Sequence, residues 1–169
     1  LDAVREATKA ATETIKINTP DTRLNSYIND WSAWQIIGSR LYSKSSIYQN
    51  GGAYGFRDQL QDVSALVLTK PELLKIQIYR ACARQYEEGD VMHWFHAGMR
   101  TRSGAPKGVR TQCSDDLLWL VRSVSRYVET TGDESILKTK IRYIKSEPLD
   151  CGERERYENA EPSPLKESV

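Results

Sequence analysis

Between Leu24 and Leu41 the apolar residues fall at Leu24, Tyr27, Ile28, Trp31, Trp34, Ile36, Ile37 and Leu41, which lays a broad hydrophobic stripe along more than four helical turns. A stripe of that width has to be covered by other elements, so these residues are expected to lie in the core. The spacing predicts a helix over 21–47, set off from a modest outer helix over 1–17 by Asn18-Thr19-Pro20-Asp21.

Further along, the pattern predicts helices over 59–69, 72–88, 115–131 and 134–144, with Lys70-Pro71, Gly89 and Gly132 as punctuation. Ser114 is placed to cap the helix over 115–131, with Asp115 and Asp116 against its positive end. Residues 90–113 carry aromatics, histidines, glycines and the basic residues Arg100, Arg102, Lys107 and Arg110, and read as a long loop. The tail, 145–169, carries Pro148, Gly152, Pro162 and Pro164 among charges and reads as irregular and exposed. No alternating segment of strand length competes with the helices, so the fold class expected is all-α, built of helical hairpins.

Lys plus Arg (24) nearly balances Asp plus Glu (23), so no global field draws the chain to nucleic acid or to an anionic membrane. Cys82, Cys113 and Cys151 are odd in number and widely spaced, which fits free thiols in a reducing compartment; a cytoplasmic location is expected. No apolar run approaches the roughly 20 residues of a membrane span, and no signal peptide is seen.

The stretch from Tyr48 to Asp62 packs glycines, aromatics, Arg57 and two carboxylates between helical patterns. Gly51, Gly52 and Gly55 let a ligand approach the main chain. Asp58, Gln61 and Asp62 share one face if a helix begins near Arg57. Arg57 donates in a planar fork and the carboxylates accept, which suits the hydroxyls of a neutral sugar, with Tyr48, Tyr54 and Phe56 as flat apolar surfaces. The same residues equally describe an Arg–Asp pair beside an acidic helix N-terminus. Trp94, between His93 and the Phe95-His96 pair, reads as a sugar-stacking wall or as loop packing.

Other chemistries find less support. His93 and His96 could touch one metal, but no neighbouring cysteine or carboxylate completes a set in the sequence, and no metal site is expected. The motif Gly-x-Ser-x-Gly of a nucleophile elbow is absent, as is a phosphate-cradling Gly-x-x-x-x-Gly-Lys.

Three blocks, Tyr48 to Asp62 (YQNGGAYGFRDQLQD), Arg84 to His96 (RQYEEGDV, then HWFH) and Gly108 to Leu120 (GVRTQCSDDLLWL), resemble glycoside hydrolase family 94, nearest its β-1,2-glucan branch. The resemblance covers 25–169. It implies that the helices form part of an (α/α)6 barrel and that 1–169 is a single partial catalytic domain with a sugar-binding loop at 48–58. The implied reaction is inverting phosphorolysis of a β-linked glucan by inorganic phosphate, releasing α-glucose 1-phosphate without a further cofactor. Phosphate is already anionic and needs no base, so one general acid suffices.

In the family that acid is an aspartate of a Trp-Asn-Asp motif downstream of these blocks. The chain lacks it, and the reversed Asn29-Asp30-Trp31 does not supply it, so no catalytic residue is assigned. The phosphate-binding segment has no match either. What carries over is the donor-sugar subsite: Arg57 and Asp58 first, then Asp62 and Gln61, with Arg40 and Gln49 from the preceding segment and Trp94 as the wall. Val121-Arg122 stands where many relatives have a proline, and 141–146 is more basic than usual. The expectation is a piece of a glycoside phosphorylase, inactive alone, that binds a β-glucan oligosaccharide and leaves Trp31, Trp34, Ile37 and Leu41 to pack against the rest of the barrel or a second copy. The alternative is a non-catalytic helical carbohydrate-binding or interaction module.

Overall fold

The computed structural model describes residues 1–42, 52–100 and 106–169. Gln49, with Tyr48, Asn50 and Gly51 of the glycine-rich stretch, the expected helix end at 43–47, and Arg102 lie outside the described residues. The N-terminal part is helical: α1 (Asp2–Thr12) is followed by α2 (Thr22–Ser26) and α3 (Ala33–Ile36). Asp21 caps α2 by accepting from the backbone N–H groups of Arg23 and Leu24. Wide π-type turns at Tyr27–Ser32 and Ile37–Tyr42 keep the chain helical from Thr22 to Tyr42. They also change the angular step per residue, so a stripe drawn at period 3.6 does not stay on one line. Ile37 is buried and Leu41 half-buried, whereas Leu24, Tyr27, Trp31 and Trp34 are exposed. The expectation that this whole stripe is core is corrected accordingly.

Helices α4 (Phe56–Val63), α5 (Pro71–Cys82) and α6 (Asp116–Thr131) form the helical core with a 3-10 turn at Ser64–Leu68. Leu60, Val63, Leu66, Val67, Leu74 and Ile78 are sealed there with Tyr127 and Ile136. Asp133 is a polar clamp on this layer. Its carboxylate accepts from Lys75 of α5 at 2.6 Å and from the Tyr127 hydroxyl of α6 at 2.9 Å, and it takes the Ser135 N–H at the start of the Glu134–Lys138 3-10 turn. Lys75 first, then the Ser135 hydroxyl, which also donates to it, and the Tyr127 hydroxyl hold its carboxyl below the usual carboxylate range. Gly132, at φ 70°, ends α6 in the left-handed conformation, its N–H returning to Val128.

The chain is not all-α, and the expected arrangement of helical hairpins in part of an (α/α)6 barrel is overturned by two antiparallel sheets. Strands β1 (Ala53–Gly55), β2 (Met92–Arg100) and β3 (Pro106–Thr111) precede α6; β4 (Lys140–Lys145), β5 (Glu155–Asn159) and β6 (Glu161–Ser168) follow it. The first sheet runs β1-β2-β3-β5 and the second pairs β4 with β6. The supposed loop at 90–113 therefore holds two strands, and the supposed irregular tail holds two more. Tyr54, Tyr86, Met92, Phe95, Ile144 and Ala160 form a separate buried cluster contributed by both sheets.

Arg110 of β3 is the fixed point of this half. Its side chain is 2% exposed, and its N–H groups donate to Asp90 (two bonds of 2.7 Å), Glu88 (2.9 Å), Ser146 and the Glu147 carbonyl (each 3.2 Å). Its guanidinium also lies 4.0 Å from the centroid of the Tyr86 ring. Removing one partner from a buried charge pair typically costs about 3–5 kcal/mol. Glu88 and Asp90 keep access to water, so Arg110→Met is expected at the lower end, about 3 kcal/mol less stable in urea unfolding; a loss within experimental error contradicts this account of the sheet.

Candidate functional site

The site is set by an irregularity in β2. Met92 and Phe95 both enter the Tyr54–Tyr86 cluster although they are three residues apart, which strict alternation along a strand forbids. A register shift between Met92 and Trp94 supplies the extra residue, so that Met92 pairs with Arg110 while Trp94 pairs with Val109. His93 and Trp94 are thereby both kept out of the buried cluster. Gly108 makes the close approach possible, since a Cβ there would meet the Trp94 carbonyl oxygen at 2.2 Å and the Phe95 Cα at 2.8 Å.

Trp94 also pairs with Gly55, the residue that opens α4. That pairing sets Arg57 and Asp58, in the first turn of α4, beside the bulge. The start of α6 arrives at the same place. Arg57 donates to Asp115 at 3.2 Å, and His93 Nδ1 bonds Asp116 at 2.6 Å. Cys113 donates its thiol hydrogen to Asp115 at 3.0 Å. Five ionisable groups, Arg57, Asp58, His93, Asp115 and Asp116, thus converge from two helix starts and one strand.

The expected residues do not all join this cluster. Arg57 and Asp58 do. Asp62, one turn further along α4, is ion-paired with Arg40, and that pair is held again by Gln59, which donates to the Arg40 carbonyl at 3.1 Å. Gln61 lies exposed on α4. Trp94 stands next to the cluster, but its ring stacks on Tyr157 of β5 at 5.5 Å and meets His96 edge-on at 5.4 Å. Asp115, Asp116 and His93, expected as helix caps or as an incomplete metal pair, also join this cluster. Asp115 makes no side-chain cap bond; its carboxylate is engaged by Arg57 and Cys113 instead.

The view that no cysteine or carboxylate stands near the histidines fails in three dimensions. Ligand-type atoms of His93, Cys113 and Asp116 lie within 4.8 Å of one another. Such donors are those of zinc sites, yet here they are spent on hydrogen bonds, His93 with Asp116 and Cys113 with Asp115. Asp115 pushes the Cys113 thiol up, with burial adding to it, so the sulfur is a protonated donor at neutral pH and a poor nucleophile.

The Asp116 carboxylate is 1% exposed, and its hydrogen bond raises the His93 pKa against the opposing effect of burial. A group raised in the folded state stabilises the fold below its unfolded value, near 6.5, and that contribution is lost as pH rises through the folded value. His93 is therefore expected to titrate above about 6.5 by NMR and to fall back in Asp116→Asn. A wild-type value at or below that figure contradicts the pairing.

Comparison with known proteins gives the family of the chain. The glycosyl hydrolase 94 superfamily catalytic domain matches residues 9–159. The chain is 42% identical over 159 residues to cyclic beta-(1,2)-glucan synthase NdvB of Rhizobium meliloti, covering 92% of this chain and 5% of that protein. It is 27% identical over 166 residues to the N,N'-diacetylchitobiose phosphorylase of Vibrio proteolyticus, covering 85% of this chain and 20% of that enzyme. To the solabiose phosphorylase of Paenibacillus borealis it is 28% identical over 136 residues, 80% of this chain and 16% of that enzyme. The chain thus spans a fifth or less of each of these relatives. On the breadth of the family match, the chain belongs to the glycosyl hydrolase 94 superfamily.

Proposed function

We propose that this chain is the donor-sugar-binding part of an inverting glycoside phosphorylase that acts on β-linked glucans with inorganic phosphate to release α-glucose 1-phosphate. The observation that carries the reading is the convergence of Arg57 and Asp58 with Trp94 at the start of α4. A sugar hydroxyl is both donor and acceptor, and this corner supplies a guanidinium fork, carboxylates and an aromatic neighbour within one turn of helix. The charges are matched in pairs, Arg57 with Asp115 and His93 with Asp116, which suits neutral hydroxyls better than a dianion. The relatives that the chain resembles are named for a β-1,2-glucan and for disaccharide phosphorolysis, which supports the substrate class.

Asp62 and Arg40 then act as a brace behind the subsite, with Gln61 at its rim and Gln49 as a further contact candidate. The general acid is assigned to sequence outside this chain. Leu24, Tyr27, Trp31 and Trp34, exposed along one helical segment, fit packing against that further sequence or against a second copy. None of the described helices is long and apolar enough to cross a membrane. Free Cys82, Cys113 and Cys151 accord with a cytoplasmic setting as part of the proposal.

Calorimetry of the full chain with a β-1,2-glucooligosaccharide tests the reading. Binding is expected, weakened roughly tenfold or more in Arg57→Ala, as suits the loss of a charged hydrogen bond. No glucose 1-phosphate is expected on adding phosphate, because an unassisted leaving group forgoes the roughly hundred- to ten-thousand-fold supplied by a general acid. Absence of binding, or unchanged binding in Arg57→Ala, overturns the proposal.

A further inference from the structure

We propose that His93 is a sugar-hydroxyl donor of this same subsite, held in its donating state by Asp116, so that sugar affinity falls as pH rises. The inference rests on the carbohydrate reading above and adds to it a contact that neither the sequence motifs nor the relatives assign. The bulge in β2 is what turns His93 away from the buried cluster. Its ring is then fixed at one end only. Nδ1 is bonded to Asp116, whose carboxylate is buried, while 42% of the His93 side chain remains exposed.

With Nδ1 committed to an acceptor, the protonated ring must present Nε2–H as its other donor. No partner for Nε2 is found among the described residues. The groups that face this ring are Arg57 and Asp58 from α4, and Asp116 from α6; Asp115 and Cys113 complete the cluster. Arg57 disfavours the ring's charge and the two aspartates favour it. Arg57 spends one of its five N–H groups on Asp115 and keeps others for a ligand, so Nε2–H of His93 is a second donor on this side, among the carboxylates of Asp58 and Asp116. Donors of this kind suit the hydroxyl oxygens of a neutral polyol. When the ring loses its proton, Asp116 retains the Nδ1–H, and Nε2 turns from donor to acceptor.

The experiment is an NMR titration of the full chain with sophorose, the β-1,2-linked glucose disaccharide, following the His93 Cε1–H resonance, together with calorimetry across the His93 titration. The expected results are a His93 resonance that moves on binding and a wild-type affinity that falls as pH rises through the His93 pKa. His93→Ala should bind roughly ten- to hundredfold more weakly, and His93→Gln, which keeps a neutral donor, should be intermediate and pH-independent. Wild-type binding with an unmoved His93 resonance, or with a flat pH profile, overturns this inference and leaves the carbohydrate reading standing. No wild-type binding at all overturns both.

Discussion

The guanidinium of Arg110 is the constraint on which the strand half of the molecule depends. A buried cation is tolerated only where its charge and its hydrogen-bonding N–H groups all find partners. Arg110 finds them in three places at once: the turn carrying Glu88 and Asp90, the segment at Ser146 and Glu147, and the ring of Tyr86. Tyr86 in turn donates to Glu158 at 2.6 Å, and Ser146 donates to the same carboxylate at 2.5 Å. Burial comes first and Glu158 second in pushing the Tyr86 hydroxyl far above its ordinary range, so it stays a donor at every relevant pH. This network specifies arrangement more than it adds net stability, since the desolvation of Arg110 offsets much of its Coulomb gain. What it determines is which strands meet: β3 with β5 on one side, and the 84–91 turn with β4 on the other.

From that anchor the site follows through backbone geometry. β3 fixes β2 across Gly108, where only hydrogen fits against the Trp94 carbonyl, and the bulge in β2 then turns His93 and Trp94 to the side on which α4 and α6 begin. Both helices place acidic residues in their first turns, where the positive end of the helix favours them: Asp58 in α4 and Asp116 in α6. The charges of the site are thereby held by main-chain elements at both ends.

Much of this was legible in the residues. The period-3.6 patterns behind α4, α5 and α6 survive because those helices pack one face on a common core. The strands were hidden for particular reasons. In β2 the bulge destroys the alternation by which a strand is recognised, leaving His93, Trp94, Phe95 and His96 to read as an aromatic loop. β5 and β6 are charged because much of each lies exposed, and Pro162 and Pro164 are accommodated because β6 belongs to a two-stranded sheet with no further ladder to satisfy. Arg57 and Asp58 could be picked from a motif. Asp115, Asp116 and His93 could not be joined to them, because their meeting depends on a register shift and on where α6 docks. Adjacent aspartates at a helix start, neither required as a cap, were the one available signal.

The corner made by the β2 bulge and the starts of α4 and α6 is the proposed sugar site. Hydrogen–deuterium exchange of the full chain with and without a saturating β-1,2-glucooligosaccharide tests it most directly. Slowed exchange is expected only at the amides of 53–58, 92–96 and 113–118, with 22–42 unchanged. Protection along the exposed aromatic segment at 22–42, with none at those three sites, would contradict it.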